Sequence, residues 1–274
     1  MALLKPIFSL ILVFSTILQI YAINPDREYI RTPKDLGLDY ESNTVKTIDG
    51  YDIITWTYLA NPEKENDKLL ILAYPDAGNM SYFVYQSAIF ANHGYTVVTF
   101  DYRGFGKSSD FAIEKDLLYH PEFSIDLIAV TDFIHKKFQD KKIGIWALSM
   151  GSIIAVKSIP SLQDKVAFLI SEGFVTDTSV VVERIKAQRN RDIQLPESKY
   201  SFQNSLSKIT IPILLFAAEN DQLTPYEDAL AFQKSTKSCN IICFQGDRLS
   251  GFNSGEGEWG DFYIATINAF LDTF

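Results

Sequence analysis

Apolar and polar positions along this chain fall into short buried-looking runs separated by longer amphipathic ones. Residues 43–59 alternate and are broken by Asp49-Gly50, a pattern that predicts a two-stranded hairpin. Apolar runs of strand length follow at 68–74, 95–101, 142–148, 166–171, 209–217 and 239–244. Helical spacing fills the intervals: 81–92 with Ser81 as cap, 121–138, 151–159, 176–186, 225–235 and 258–274. Strands alternating with helices need a parallel sheet covered on both faces, entered here through an antiparallel hairpin. Residues 190–204 are polar and read as irregular. Any cap over the sheet falls within 173–208, too short for a large lid.

The N-terminus breaks this rhythm. Lys5 is the only charge before Asp26, and an apolar run spans Ile7 to Ile20. Ala22 is a small residue at a plausible cleavage point, so residues 1–22 read as a secretory signal and 23–274 as one domain. The mature chain is then secreted or periplasmic. The rival reading is an uncleaved membrane anchor, since the run approaches the roughly 20 residues that a span needs. Composition adds two constraints. The 274 residues are 47% hydrophobic, enough for one sizeable core. The net charge of −9 argues against nucleic acid as a partner. Cys239 and Cys243 share one strand-like run, where four residues span about 13 Å, so they read as buried thiols without a bridge. No metal or cofactor is implied.

The chemistry centres on Ala147-Leu148-Ser149-Met150-Gly151. A serine on a sharp strand-to-helix turn needs small residues on either side, and Ala147 and Gly151 supply them. Such a turn exposes the hydroxyl at the carboxyl edge of the sheet and aims the Met150 N–H at a developing oxyanion. Here the chain resembles the α/β-hydrolase superfamily, and more narrowly its serine aminopeptidase-like branch of small esterases and acyl hydrolases. The likeness covers about residues 35–274. It rests on Leu36-Gly37-Leu38-Asp39-Tyr40-Glu41, Thr47-Ile48-Asp49-Gly50, Ala77-Gly78-Asn79-Met80, Phe100-Asp101-Tyr102-Arg103-Gly104-Phe105-Gly106-Lys107-Ser108 and the Ser149 turn. It implies a mostly parallel, eight-stranded sheet. It also implies a small-molecule ester or acyl substrate, Asp221 as the acid of a triad, and Asp76 as the second oxyanion donor. Tyr74-Pro75-Asp76 equally suits a rigid turn in which Asp76 caps backbone N–H groups.

One member of the outline is missing. The resemblance places a histidine after the last strand, where this chain reads Gly246-Asp247-Arg248-Leu249. Neither Arg248 nor Leu249 accepts a proton from serine at neutral pH. Of the three histidines, His93 and His135 fall at the far edge of the sheet. Only His120 reaches the active edge, as a substitute base. Two readings follow: a weak exported serine hydrolase, or a catalytically silent relative that binds a small acyl-like ligand or a protein partner. Tyr82, Phe83, Tyr85, Phe111 and Phe174 are candidates for the pocket wall, with core packing as the simpler role.

Overall fold

A computed structural model describes residues 22–236, 238–255 and 257–274. The segment 1–21, expected to be a signal, lies outside them. Eight strands form one sheet: β1 Tyr40–Lys46, β2 Asp52–Tyr58, β3 Lys68–Ala73, β4 Thr96–Phe100, β5 Lys142–Leu148, β6 Val166–Glu172, β7 Ile213–Ala218 and β8 Cys239–Phe244. Their order across the sheet is β8-β7-β6-β5-β3-β4-β2-β1. β1 and β2 pair antiparallel, as do β2 and β4, and every other pairing is parallel. This is the α/β-hydrolase fold. Strands β3 to β7 are almost wholly buried, which explains why their sequences are continuous apolar runs rather than alternating ones.

The helices are α1 Val84–Asn92, α2 Glu122–Lys137, α3 Met150–Ser158, α4 Thr178–Arg189, α5 Lys199–Leu206, α6 Tyr226–Ser235 and α7 Asp261–Leu271. Three expectations need correction. The cap before α1 is Asn79, whose side chain accepts the Ser81 N–H and opens a 3-10 turn over Met80–Phe83. Ser81 is buried against it instead. The polar stretch after 190 is not wholly irregular, because α5 begins at Lys199, capped by the Ser198 hydroxyl. Phe202 and Leu206, four residues apart, bury one face of this short helix. Cys239 is buried but Cys243 is exposed, because β8 is an edge strand with β7 on one side only.

The loop after β4 is fixed by buried charge. Asp101 accepts the Met80 N–H at 2.9 Å and the Tyr29 hydroxyl at 2.7 Å. Arg103 is almost fully buried and binds both Asp126 on α2 and Asp49 in the β1–β2 turn. Arg103 therefore ties the loop after β4 to helix α2 and to the β1–β2 turn. An unpaired guanidinium at that depth would cost several kcal/mol.

Candidate active site

Ser149 sits between β5 and α3 with φ 54° and ψ −118°. For a residue with a Cβ this backbone is strained by about 1–3 kcal/mol. Packing enforces it. A Cβ on Gly151 would lie 1.9 Å from the Ala73 carbonyl oxygen, so only glycine lets α3 start this close to β3. The Ser149 N–H donates to the Glu172 carbonyl at 3.0 Å and ties the turn to the end of β6. The hydroxyl is 9% exposed and opens into a pocket of about 230 Å³.

Arg248 reaches this hydroxyl. Its Nη2 donates to Ser149 Oγ at 2.8 Å, with a longer contact of 3.4 Å to the Gly173 carbonyl. Its Nη1 lies 3.3 Å from Asp221 Oδ2 and donates to Thr224 Oγ1 at 2.9 Å. The guanidinium thus bridges Ser149 and Asp221. Asp221 is nearly buried and also accepts the Leu223 and Thr224 N–H groups at 2.8 and 2.9 Å. Burial alone would raise its pKa. The Arg248 charge and the Thr224 and Leu223 hydrogen bonds outweigh that and hold it below the usual carboxylate range. Asp221 is therefore both a turn cap and one side of an ion pair. Leu249 takes a left-handed backbone, φ 62°, and its side chain joins the pocket wall.

His120 is elsewhere. Its Nε2 accepts the Glu114 backbone N–H at 3.1 Å, and its Nδ1 lies 3.9 Å from Glu122. Phe111 and Phe123 pack on its ring. Burial lowers its pKa, and no hydrogen bond joins it to Ser149 among the described residues. A ring whose Nε2 already accepts a backbone proton has no free basic nitrogen facing the serine.

Met150 and Asp76 both line the pocket. Burial pushes the Asp76 carboxyl up; its own backbone N–H, Arg248 and Arg189 pull it back only in part. The rest of the wall is aliphatic: Leu118, Ile153, Val175, Val181, Ile185 and Leu223, with Ala22 from the N-terminal segment. None of the five aromatics considered from sequence contributes. Ala22 and Ile23 are held by the Lys115 carbonyl, which accepts both of their N–H groups, and Asn24 pairs with Asp76. A larger cleft of about 760 Å³ between α4, α5 and α6 contains none of Ser149, Asp221 or Arg248, so size does not identify the site.

Sequence reasoning missed Glu172. Its carboxyl is 3% exposed at the end of β6, accepts the Gly251 N–H at 2.8 Å and binds the Tyr263 hydroxyl. Burial raises its pKa to about 7, against the lowering effect of those bonds and of Arg248. It braces the loop that carries Arg248. The available signal was an acidic residue closing an otherwise apolar run.

With this geometry in view, the chain has the α/β-hydrolase fold and is similar to proteins of that fold. Residues 77–188, less than half of the chain, match the family described as Serine aminopeptidase, S33. Among solved structures, an esterase from Pyrococcus furiosus, Pf2001, superposes with a TM-score of 0.70 at 19% identity, over 92% of this chain and 98% of that one. XC6422 from Xanthomonas campestris, an α/β serine hydrolase without a lid, gives 0.58 at 15% identity, over 85% of this chain and 93% of its own. These likenesses establish the fold. Among curated proteins, Protein bem46 of Schizosaccharomyces pombe is 25% identical over 206 residues, 73% of this chain and 66% of bem46. Lysophosphatidylserine lipase ABHD12 of Macaca fascicularis is 27% identical over 157 residues, 51% of this chain but 37% of the lipase. The chain therefore spans just under two thirds of the first relative and little more than a third of the second.

Proposed function

We propose that the Ser149 pocket binds a small acyl-like ligand and hydrolyses esters slowly at most. The observation that carries this reading is the Arg248 guanidinium between Ser149 and Asp221. General-base catalysis needs a group that accepts the serine proton. Arginine stays protonated, and here it donates to the oxygen that would have to attack. A hydrolase lacking one triad member retains a residual rate of about 10³–10⁴ over water, set by binding and the oxyanion donors.

The strained Ser149 turn favours a second reading, a slow serine esterase, because strain of this kind is kept where a nucleophile must be presented. One series separates the two. A serine-directed phosphonate should label the wild-type chain slowly, and Ser149→Ala should change ester turnover little. Arg248→His should raise both labelling and turnover by about 10-fold or more, with Leu249→His as the register control. Brisk wild-type labelling that survives Arg248→His unchanged sinks the binding reading.

The chain carries a further proposal, export through residues 1–22, with its own test below. A retained leader would instead hold the domain at a membrane. Among the described residues no helix is long and apolar enough to cross one.

A further inference from the structure

The polar end of the Ser149 pocket is built from donors. Ser149 Oγ accepts from Arg248 at 2.8 Å, so the serine's own proton is free to be given outward. The pocket-lining Met150 opens α3, a helix of nine residues, and its N–H carries the positive end of that helix dipole. The second Nη2 hydrogen of Arg248 makes only the long 3.4 Å contact with the Gly173 carbonyl, a bond weak enough to exchange. Arg189 stands at the mouth, and its charge and that of Arg248 both bear on Asp76.

The hydrogen-bond donors, rather than the net charge, favour an anion. Arg248 is balanced by Asp221, so the remaining full charges at the pocket are Arg189 and Asp76. The donors that face Ser149 are thus Arg248 and the Met150 N–H, and Asp76 is the one carboxylate among the residues lining the pocket. Beyond this end the wall is aliphatic. The volume of about 230 Å³ lies below the roughly 300–1,000 Å³ of sites for drug-sized ligands. At roughly 30 Å³ for each water-sized group, it holds on the order of eight heavy atoms. A two-chain lipid or a long peptide does not fit.

We infer that the pocket recognises a short apolar monocarboxylate, with its head on Arg248, the Ser149 hydroxyl and the Met150 N–H, and its chain against Ile153, Val181 and Ile185. This rests on the binding reading above and names its ligand. In a family where the serine oxygen attacks an acyl carbon, the guanidinium here converts the same serine into a hydrogen-bond donor for the carboxylate such an attack would release. Asp76 is the one group that opposes this ligand, through like charge at short range.

The test is calorimetry on the full chain at neutral pH, with hexanoate against hexanamide, its neutral isostere. Hexanoate should bind about 10-fold tighter or better, because charge-assisted hydrogen bonds are the stronger ones. Arg248→Gln should erase that preference. Asp76→Asn should tighten hexanoate severalfold and leave hexanamide unchanged, and this variant keeps the ion pair and the fold. Equal binding of the two ligands by the wild-type chain, or weaker hexanoate binding by Asp76→Asn, overturns the carboxylate inference while the binding reading stands. Binding of neither ligand overturns both.

Discussion

At the scale of single residues, the site turns on two ionisable groups that sequence patterns treat as ordinary. Arg248 occupies the place where the superfamily resemblance implies a histidine, and there it donates a hydrogen bond to Ser149 Oγ. Glu172 is subtler. Its pKa is raised to about 7 from an ordinary value of 4.5 because it is buried. The folded state therefore binds its proton more tightly than the unfolded state. Its carboxyl costs no stability below about pH 4.5, and the cost grows as pH rises to about 7, then levels off. The difference in pKa corresponds to roughly 3 kcal/mol. Glu172→Gln keeps an acceptor for the Gly251 N–H and cannot ionise. Chemical denaturation of both forms from pH 5 to pH 8 should show wild-type stability falling relative to the variant across that window. Parallel curves would mean that Glu172 does not hold its proton in the fold.

At the scale of elements, the tightest joint is α3 against β3. Gly151→Ala puts a methyl group 1.9 Å from the Ala73 carbonyl oxygen, so the start of α3 must move outward. The expected loss is about 2 kcal/mol or more, read as a lowered denaturation midpoint. The same shift swings Ser149 away from Arg248, so ligand affinity should fall with stability. An unchanged midpoint would show that the turn is looser than the contact implies. The sequence made this joint legible, because a strand, a small-residue turn and a helix declare themselves in five residues. Most strands were legible for a similar reason: a parallel sheet buried on both faces writes itself as apolar runs. The helix Lys199–Leu206 was not, since two buried residues, Phe202 and Leu206, leave too thin a stripe to register as a period. The pairing of Arg248 with Asp221 was legible from a guanidinium at the vacant histidine position; its contact with Ser149 was not. A guanidinium that chooses both Ser149 and Asp221 depends on where β6, β7 and β8 end relative to one another, and no local pattern encodes that. Glu172 was hidden for the same cause, because its partners Gly251 and Tyr263 are about 80 and 90 positions away along the chain.

At the scale of the molecule, the sheet is assembled from strands far apart in sequence: β3 pairs with β5, with α1, β4 and α2 between them along the chain, and β5 pairs with β6 across α3. Such parallel, non-local pairings form slowly. The N-terminal segment belongs to this late architecture. Ile23 is 0% exposed, Ala22 is nearly so, and both N–H groups are spent on the Lys115 carbonyl. A protease needs its target peptide accessible, and here the bond between Ala22 and Ile23 is buried in the folded domain. If residues 1–22 are the leader proposed above, its removal must precede folding. Chains presented to a leader peptidase while unfolded should yield a product starting at Ile23. Chains allowed to fold beforehand should resist for as long as the domain stays closed, with N-terminal sequencing over a time course as the readout. Equal cleavage of both populations would place the junction outside the folded body. Folding first would leave Ala22, which lines the Ser149 pocket, locked into its wall.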